Sequence, residues 1–148
     1  MPIAKKTKPA AAKRYIESSA LTAALLESDA AAQASIDAAG ERVMSALTAT
    51  ETTRAILRAR LTGRITGPQE RLALRKLQRL VARCFVIGVT PEILTRAGRR
   101  FPAEPVRTLD AIHLATVEAL GDPPALVTII TRDARVRDNA AALGYNVE

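Results

Sequence analysis

The sequence has very few of the residues on which several common kinds of site depend. Its 148 residues include one cysteine, Cys84, and one histidine, His113. The scarcity excludes an intramolecular disulfide and any metal site built from several thiolates or imidazoles. Aromatic residues make up only 3% of the chain. We therefore expect no row of aromatic side chains on which nucleic-acid bases could stack.

Long apolar runs are also missing. No stretch approaches the roughly 20 apolar residues that a membrane-spanning helix needs. The basic N-terminal residues are not followed by the apolar segment of a secretion signal. We therefore expect a protein that does not bind membranes and that resides in the cytoplasm, where a low cysteine content is usual.

The net charge of +7 is concentrated at the N-terminus. Residues 1–14 contribute +5 and hold no acid, so the other residues carry only +2 (7 − 5). The Pro, Ala and Lys content predicts a flexible basic tail over residues 1–12, followed by a single domain over residues 13–148. Such a tail either attracts phosphate groups without specificity or serves only solubility.

Short apolar segments alternate with helical patterns along the rest of the chain. Strands are predicted at residues 15–16, 43–44, 85–87 (a buried strand), 126–130 and near Val147. Helices are predicted at 19–26, 30–39, from Thr48 or Thr50, at 68–81, from 90, from Thr108, and from Thr131 or Asp133 to Gly144. This alternation is typical of an α/β domain whose mainly parallel sheet of four to five strands has helices on both faces.

Four acidic residues lie near the predicted carboxyl ends of strands or the starts of helices, where a parallel sheet would bring them close together. Glu17 and Asp133 come shortly after predicted strands, and Glu51 and Asp110 lie in what we expect to be first helical turns. Because the carboxyl ends of parallel strands meet at one edge, these four side chains could converge. Capping and the helix dipole also favour acids at such positions without any function, and that alternative stays open.

Converging carboxylates would need a cation to offset their repulsion, and all-oxygen ligation suits Mg²⁺ or Mn²⁺. Phosphodiester hydrolysis is a reaction that such an ion promotes. The chain has no Gly-rich phosphate loop, no GxSxG, no HExxH and no Cys/His pair at catalytic spacing. We interpret His113, which lies on an apolar helix, as a structural residue rather than a general base.

Arginines cluster on two of the predicted helices. Such clusters are typical of solvated helix faces, and they are also what a nucleic-acid backbone would contact. The residues concerned include Arg54, Arg58, Arg75 and Arg79.

Four segments of the sequence resemble the PIN-domain ribonucleases. RYIESSALTAALL is similar to that family's opening strand and helix, and RTLDAIHLATVEAL to its most recognisable segment. TATETTRAILR supplies the acid expected after the second strand, and ALVTIITRDARVRDNAAALGYNV is similar to the closing unit. Their order and spacing are most similar to the small VapC-like toxins of bacterial type II toxin–antitoxin (VapBC) pairs. The resemblance covers residues 13–148.

The resemblance implies a PIN-like three-layer α/β/α fold and a Mg²⁺- or Mn²⁺-dependent endoribonuclease. Its substrate would be structured RNA such as tRNA, and the toxin would be a homodimer inhibited by a cognate VapB-like antitoxin. By motif or position, the catalytic and metal-binding acids would be Glu17, Glu51, Asp110 and Asp133. Hydroxyls supporting them would come from Ser18, Ser19 and Thr131. The RNA backbone would meet Arg54, Arg58, Arg75 and Arg79.

Glu17 is the one departure from the family pattern, which has Asp at this position. The additional methylene moves the carboxylate by about 1.5 Å, and Mg²⁺ tolerates little displacement of its ligands. Two hypotheses follow: an active ribonuclease, or a PIN-fold protein that binds RNA or antitoxin with weak or no catalysis. A nuclease that acts on DNA is a third.

Overall fold

The computed structural model describes residues 12–148, so all but the last residue of the predicted tail lies outside the described residues. Two charges that we assigned to the basic N-terminus belong to the first strand instead. Lys13 Nζ donates to Asp122 Oδ2 at 2.6 Å, and Arg14 forms an ion pair with Glu148. Both cations are therefore paired within the domain.

Strands and helices alternate along the described residues. The strands are β1 (Lys13–Ile16), β2 (Glu41–Ser45), β3 (Phe85–Ile87), β4 (Val127–Ile130) and β5 (Asn146–Val147). The helices are α1 (Ser18–Leu26), α2 (Ala30–Asp37), α3 (Ala46–Leu61), α4 (Gly67–Val81), α5 (Pro91–Ala97), α6 (Thr108–Ala119) and α7 (Ala134–Ala142). None of these helices is long and apolar enough to span a membrane.

The five strands form one sheet in the order β3-β2-β1-β4-β5, and every pairing is parallel. The prediction of an α/β domain with a mainly parallel sheet is confirmed. The chain builds the sheet outward from β1 through β2 to β3, then crosses to the other side for β4 and β5. The strand order therefore reverses between β1 and β4, and in open α/β sheets ligands bind beyond the carboxyl ends at such a point.

Two hydrophobic cores lie on opposite faces of this sheet. Successive residues of a strand point to opposite faces. Tyr15 and Ile129 accordingly belong to the core formed with α5, α6 and α7. Ile16 and Ile130 belong to the core formed with α1, α2, α3 and α4. The helices thus form a layer on each face of the sheet.

The predicted burial of β3 is wrong. Phe85 is 63% exposed and Val86 is 39% exposed, because β3 is an edge strand that pairs with β2 alone. The sequence also predicts Leu72 and Leu77 near one apolar face of α4, but Leu72 is exposed whereas Leu77 is buried. Five residues of an α-helix span about 140° beyond a full turn, so these two side chains point in different directions.

The predicted start of α3 needs correction. Helix α3 begins at Ala46 rather than after Thr48 or Thr50, and its cap is Ser45, whose hydroxyl accepts from the backbone N–H two residues on at 3.0 Å. Glu51 consequently lies in the second turn of α3, not in the first.

Helix α6 includes Thr108 as its first residue, and Arg107 stands at the cap position without a side-chain capping bond. Asp110 lies in the first turn as expected. The side chain of Arg107 does not cap α6 and instead binds Asp110.

Candidate active site

The structure brings the four predicted acids together in one cleft beyond the carboxyl ends of β1 and β4. The cleft has a volume of about 660 Å³, and its lining includes Glu17, Glu51, Asp110 and Asp133. They come from the β1–α1 junction, α3, α6 and the β4–α7 junction. Residues far apart in sequence therefore meet at the point where the strand order reverses.

Glu17 is buried and held by hydroxyl groups. Its carboxylate accepts from Ser18 Oγ at 2.7 Å, from the Ser19 backbone N–H at 3.1 Å and from Thr131 Oγ1 at 2.8 Å. The Ser19 hydroxyl donates to it as well. These donors compensate the cost of burying a carboxylate that is 3% exposed. The three hydroxyl residues named from the sequence thus all bind Glu17, which also caps α1.

Glu51 is held by His113. The imidazole Nε2 lies 2.6 Å from Glu51 Oε1 and 3.8 Å from Glu17 Oε1. The other ring nitrogen, Nδ1, lies 2.8 Å from the hydroxyl of Tyr15. Burial, reinforced by the charge of Glu17, raises the pKa of Tyr15, so its hydroxyl keeps its proton.

His113 is buried, as expected of a structural residue, yet it contacts the acids directly, which sequence reasoning missed. It follows Asp110 by three residues, and residues with this spacing share one face of a helix. That spacing was the available signal. The face of α6 that carries Asp110 to the cleft also carries His113, which is buried behind the cleft against Glu51.

Asp110 and Asp133 are bridged by Arg107, a second residue that sequence reasoning missed. Arg107 Nε donates to Asp110 Oδ2 at 2.8 Å, and Nη2 donates to Asp133 Oδ2 at 2.6 Å. The hydrogen bond to Asp110 and the charges of both acids raise the pKa of Arg107. Its signal in the sequence was an opposite charge three residues before Asp110.

Asp133 has a structural role too. Its Oδ1 accepts from the backbone N–H groups of Arg135 at 2.8 Å and Val136 at 3.2 Å, which caps α7. The capping alternative left open by the sequence is therefore correct for Glu17 and Asp133. Glu17 and Asp133 each cap a helix and also line the cleft.

Arginines on the cleft differ in what they bind. Arg132 lines the cleft, but its Nε donates to Asp29 Oδ2 at 2.7 Å. That hydrogen bond, with one from the Ala32 backbone, lowers the pKa of Asp29 to about 2. Of the arginines expected to meet RNA, Arg54 and Arg58 line the acid cleft.

The other two arginines lie elsewhere. Arg75 is an exposed residue of α4 that does not line the cleft. Arg79 lines a separate depression of about 400 Å³ next to α1 and α2. The structure therefore separates the two predicted arginine clusters, and only one of them adjoins the acids.

The oxygen donors of the cleft suit Mg²⁺ or Mn²⁺ in kind. In the described part of the chain, however, no three Asp, Glu, His or Cys side chains converge closely enough to hold an ion. Between Asp110 and Asp133, the guanidinium of Arg107 provides the positive charge. Its side chain is 61% exposed, so it can turn into solvent without disturbing the core. The donors are therefore of the right kind for a divalent cation but are not arranged around one here, and Arg107 bridges Asp110 and Asp133 instead.

Comparisons with known proteins identify the family. The model of the PIN domain matches residues 14–142. Ribonuclease VapC46 of Mycobacterium tuberculosis is 39% identical over 106 residues, which are 72% of this chain and 72% of that protein.

Two solved structures share the fold. M. tuberculosis VapC20, described as a Sarcin-Ricin loop cleaving toxin, has a TM-score of 0.63 and 18% identity, covering 89% of this chain and 95% of its own. VapBC-1 from nontypeable Haemophilus influenzae has a TM-score of 0.57 and 13% identity, covering 92% and 96%. The expected PIN-like fold is thereby confirmed. The chain belongs to the PIN domain family and, within it, to the VapC ribonucleases.

Proposed function

We propose that this chain is a Mg²⁺- or Mn²⁺-dependent endoribonuclease that hydrolyses RNA phosphodiester bonds as a VapC-type toxin. One observation carries the proposal: four acids from separate segments line a single cleft at the reversal of strand order. Its ribonuclease relatives support RNA as the substrate.

In this proposal the ion is held by Glu17, Glu51, Asp110 and Asp133. When bound, such an ion supplies a strong nucleophile at neutral pH and compensates the negative charge of the scissile phosphate. The chain itself keeps the acids in place. Hydroxyls of Ser18, Ser19 and Thr131 fix the carboxylate of Glu17.

The basic residues at the cleft would bind the substrate. Arg54 and Arg58 border the acids on α3 and would contact phosphate groups on either side of the cleaved bond. Such contacts depend on salt and are largely independent of sequence. Arg107, once displaced from Asp110 and Asp133, would carry a further positive charge at the cleft mouth.

The likeness to VapBC-1 supports a VapB-like antitoxin as the partner that inhibits the toxin. The homodimer and tRNA as the substrate stay predictions. Sedimentation of the purified chain alone and with a candidate antitoxin would test the first. A cleavage assay on total RNA followed by mapping of the cut ends would test the second.

Replacing Asp110 with Asn tests the site. Asp110 is 6% exposed, and Asn keeps its size while removing the charge. We expect RNA cleavage by Asp110→Asn to fall at least about 100-fold with the thermal melt unchanged. A variant as fast as the parent would contradict the site, and cleavage that persists in EDTA would contradict the metal dependence.

The alternative is a PIN-fold protein that binds RNA or antitoxin with little or no catalysis. A specific observation favours it: the Glu17 carboxylate already accepts hydrogen bonds from Ser18, Ser19 and Thr131 of its own chain. Assaying the parent beside Glu17→Asp, with Mg²⁺ or Mn²⁺, separates the two functions. If neither form cuts RNA while tight binding persists, the alternative is correct. Competition between RNA and DNA tests the third hypothesis.

A further inference from the structure

We propose that His113 is a positioning residue that holds the Glu51 carboxylate in the cleft, and that Tyr15 sets the tautomer that allows it. The inference rests on the proposed function, because it assigns a role to Glu51 in that site. It goes beyond it by adding two residues that do not themselves bind metal or RNA.

The geometry places three side chains in a continuous chain of hydrogen bonds from the core to the cleft. Tyr15 is 0% exposed on β1, and His113 is 1% exposed on α6. The side chain of Glu51, on α3, is 26% exposed. The contacts are 2.8 Å from Tyr15 Oη to Nδ1 and 2.6 Å from Nε2 to Glu51 Oε1. The imidazole thus connects an acid of the cleft to the rigid sheet.

The direction of the hydrogen bonds follows from the donors available. In a neutral imidazole one nitrogen donates and the other accepts. A carboxylate can only accept a hydrogen bond, so Nε2 must carry the hydrogen that is donated to Glu51. In the neutral ring Nδ1 is then the acceptor, and the Tyr15 hydroxyl donates a hydrogen bond to it. The neighbouring hydroxyls of Thr48 and Thr116 donate elsewhere, to the carbonyls of Ile16 and Ile112.

Glu51 needs such a partner more than Glu17 and Asp133 do. Glu17 is held by three hydroxyls and a backbone N–H, and Asp133 by two backbone N–H groups and Arg107. For Glu51, His113 is the partner among the described side chains. Without it, the Glu51 carboxylate would be free to rotate away on a helix whose own bonds do not fix it.

The tautomer can be read directly, because His113 is the only histidine of the chain. Protein without an affinity tag, labelled with ¹⁵N-histidine, gives one pair of imidazole signals. We expect a protonated Nε2 and an unprotonated Nδ1 at pH 7.5. Protonation of Nδ1 in the parent would contradict the role of Tyr15.

The contact with Glu51 has its own readout. The Nε2 proton signal should shift markedly in Glu51→Gln and stay in place in Glu27→Gln. Glu27 lines the same cleft but makes no contact with His113. Equal shifts in the two variants, or no shift in Glu51→Gln, would contradict the proposed hydrogen bond.

Kinetics test the consequence for cleavage. Removing a group that orients a ligand typically costs about 10- to 100-fold. We expect that loss in kcat for His113→Leu, with KM for RNA changed less than about threefold because RNA contacts remain. His113→Gln, whose amide can still donate to Glu51, should recover part of the loss. Full activity in both variants would contradict the proposal.

Tyr15→Phe covers the case in which His113→Leu does not fold, since it keeps the aromatic ring and removes only the hydroxyl. We expect a smaller loss of kcat and a mixed tautomer of His113. The matched control is Tyr145→Phe, which removes the other phenol of the chain, away from the cleft. The tautomer is measured without metal or RNA, so it tests the hydrogen bonds even if the parent cuts no RNA. A parent that cuts no RNA would contradict the proposed function only.

Discussion

The two sides of the acid cleft solve the same electrostatic problem by different means. On the inner side, Glu17 is held by hydroxyl groups and a backbone N–H, and Glu51 by the imidazole of His113. On the outer side, Asp110 and Asp133 share one guanidinium, that of Arg107. Both arrangements stabilise the carboxylates, but the outer one relies on the positive charge of a single guanidinium.

This difference assigns different mobilities to the two sides. The inner donors lie at the start of α1, directly after β4 and on α6, and all but the half-buried Ser19 are buried. The side chain of Arg107 is mostly exposed, so it can leave the acids without opening the core. In the function proposed above, we therefore expect a bound divalent cation to displace Arg107 from the outer side and to leave the donors of the inner side in place.

Removing the charge of Glu17 should have the largest effect, because it breaks the inner side. We expect Glu17→Gln to lower kcat for RNA at least about 100-fold, since the amide is a poor ligand and its NH₂ faces hydroxyl donors. The control is Glu27→Gln, an acid of the same cleft, which should stay within about twofold of the parent. Equal losses in both variants would mean that net charge, not Glu17, matters.

Removing Arg107 from the outer side should have the opposite effect, because it should strengthen metal binding. Without the competing guanidinium, Arg107→Ala should bind Mn²⁺ about three- to tenfold more tightly, as titration calorimetry at low salt would show. Arg132→Ala is the matched control, because Arg132 lines the same cleft but is paired with Asp29. Weaker Mn²⁺ binding by Arg107→Ala than by this control would contradict the expectation that a metal ion displaces Arg107.

Two pairs of arginines test how far the cleft extends as an RNA-binding surface. Replacing Arg54 and Arg58 by Gln should reduce the slope of log K against log salt for single-stranded RNA by about 1.4 (0.7 for each of two contacts). Replacing Arg75 and Arg79 should leave the slope unchanged, because they lie away from the acids. Binding is measured in the Asp110→Asn background to prevent cleavage. Equal effects of the two pairs would contradict the separation.

The smallest effect concerns Asp29, whose partner Arg132 contrasts with Arg107. Its pKa in the folded chain is lowered from 3.8 to about 2, so this group stabilises the fold fully above pH 4. The contribution is lost as the pH falls from about 4 to 2. Asp29→Asn keeps the cap of α2 and loses the ion pair. The difference in urea midpoint between parent and variant should therefore shrink over this range, and a constant difference would contradict it.

Sequence patterns were sufficient for the α/β class and for the positions of the strands. The alternation of short apolar runs with capped helices is local, and capping residues such as Thr90 and Asp133 act within one turn. The edge position of β3 could not be predicted, because the three residues Phe85–Ile87 read the same in a central or an edge strand. These residues are exposed because the strand order places β3 at the edge of the sheet.

The candidate site divides in the same way. The sequence by itself determined which acids and hydroxyls the chain would place at strand ends, because each residue's position there depends on its own strand or helix. The roles of Arg107 and His113 were decided only by the tertiary structure. Their partners, Asp133 and Glu51, lie 26 and 62 residues away. Hydrogen bonds over such separations exist only once the sheet has brought the strand ends together.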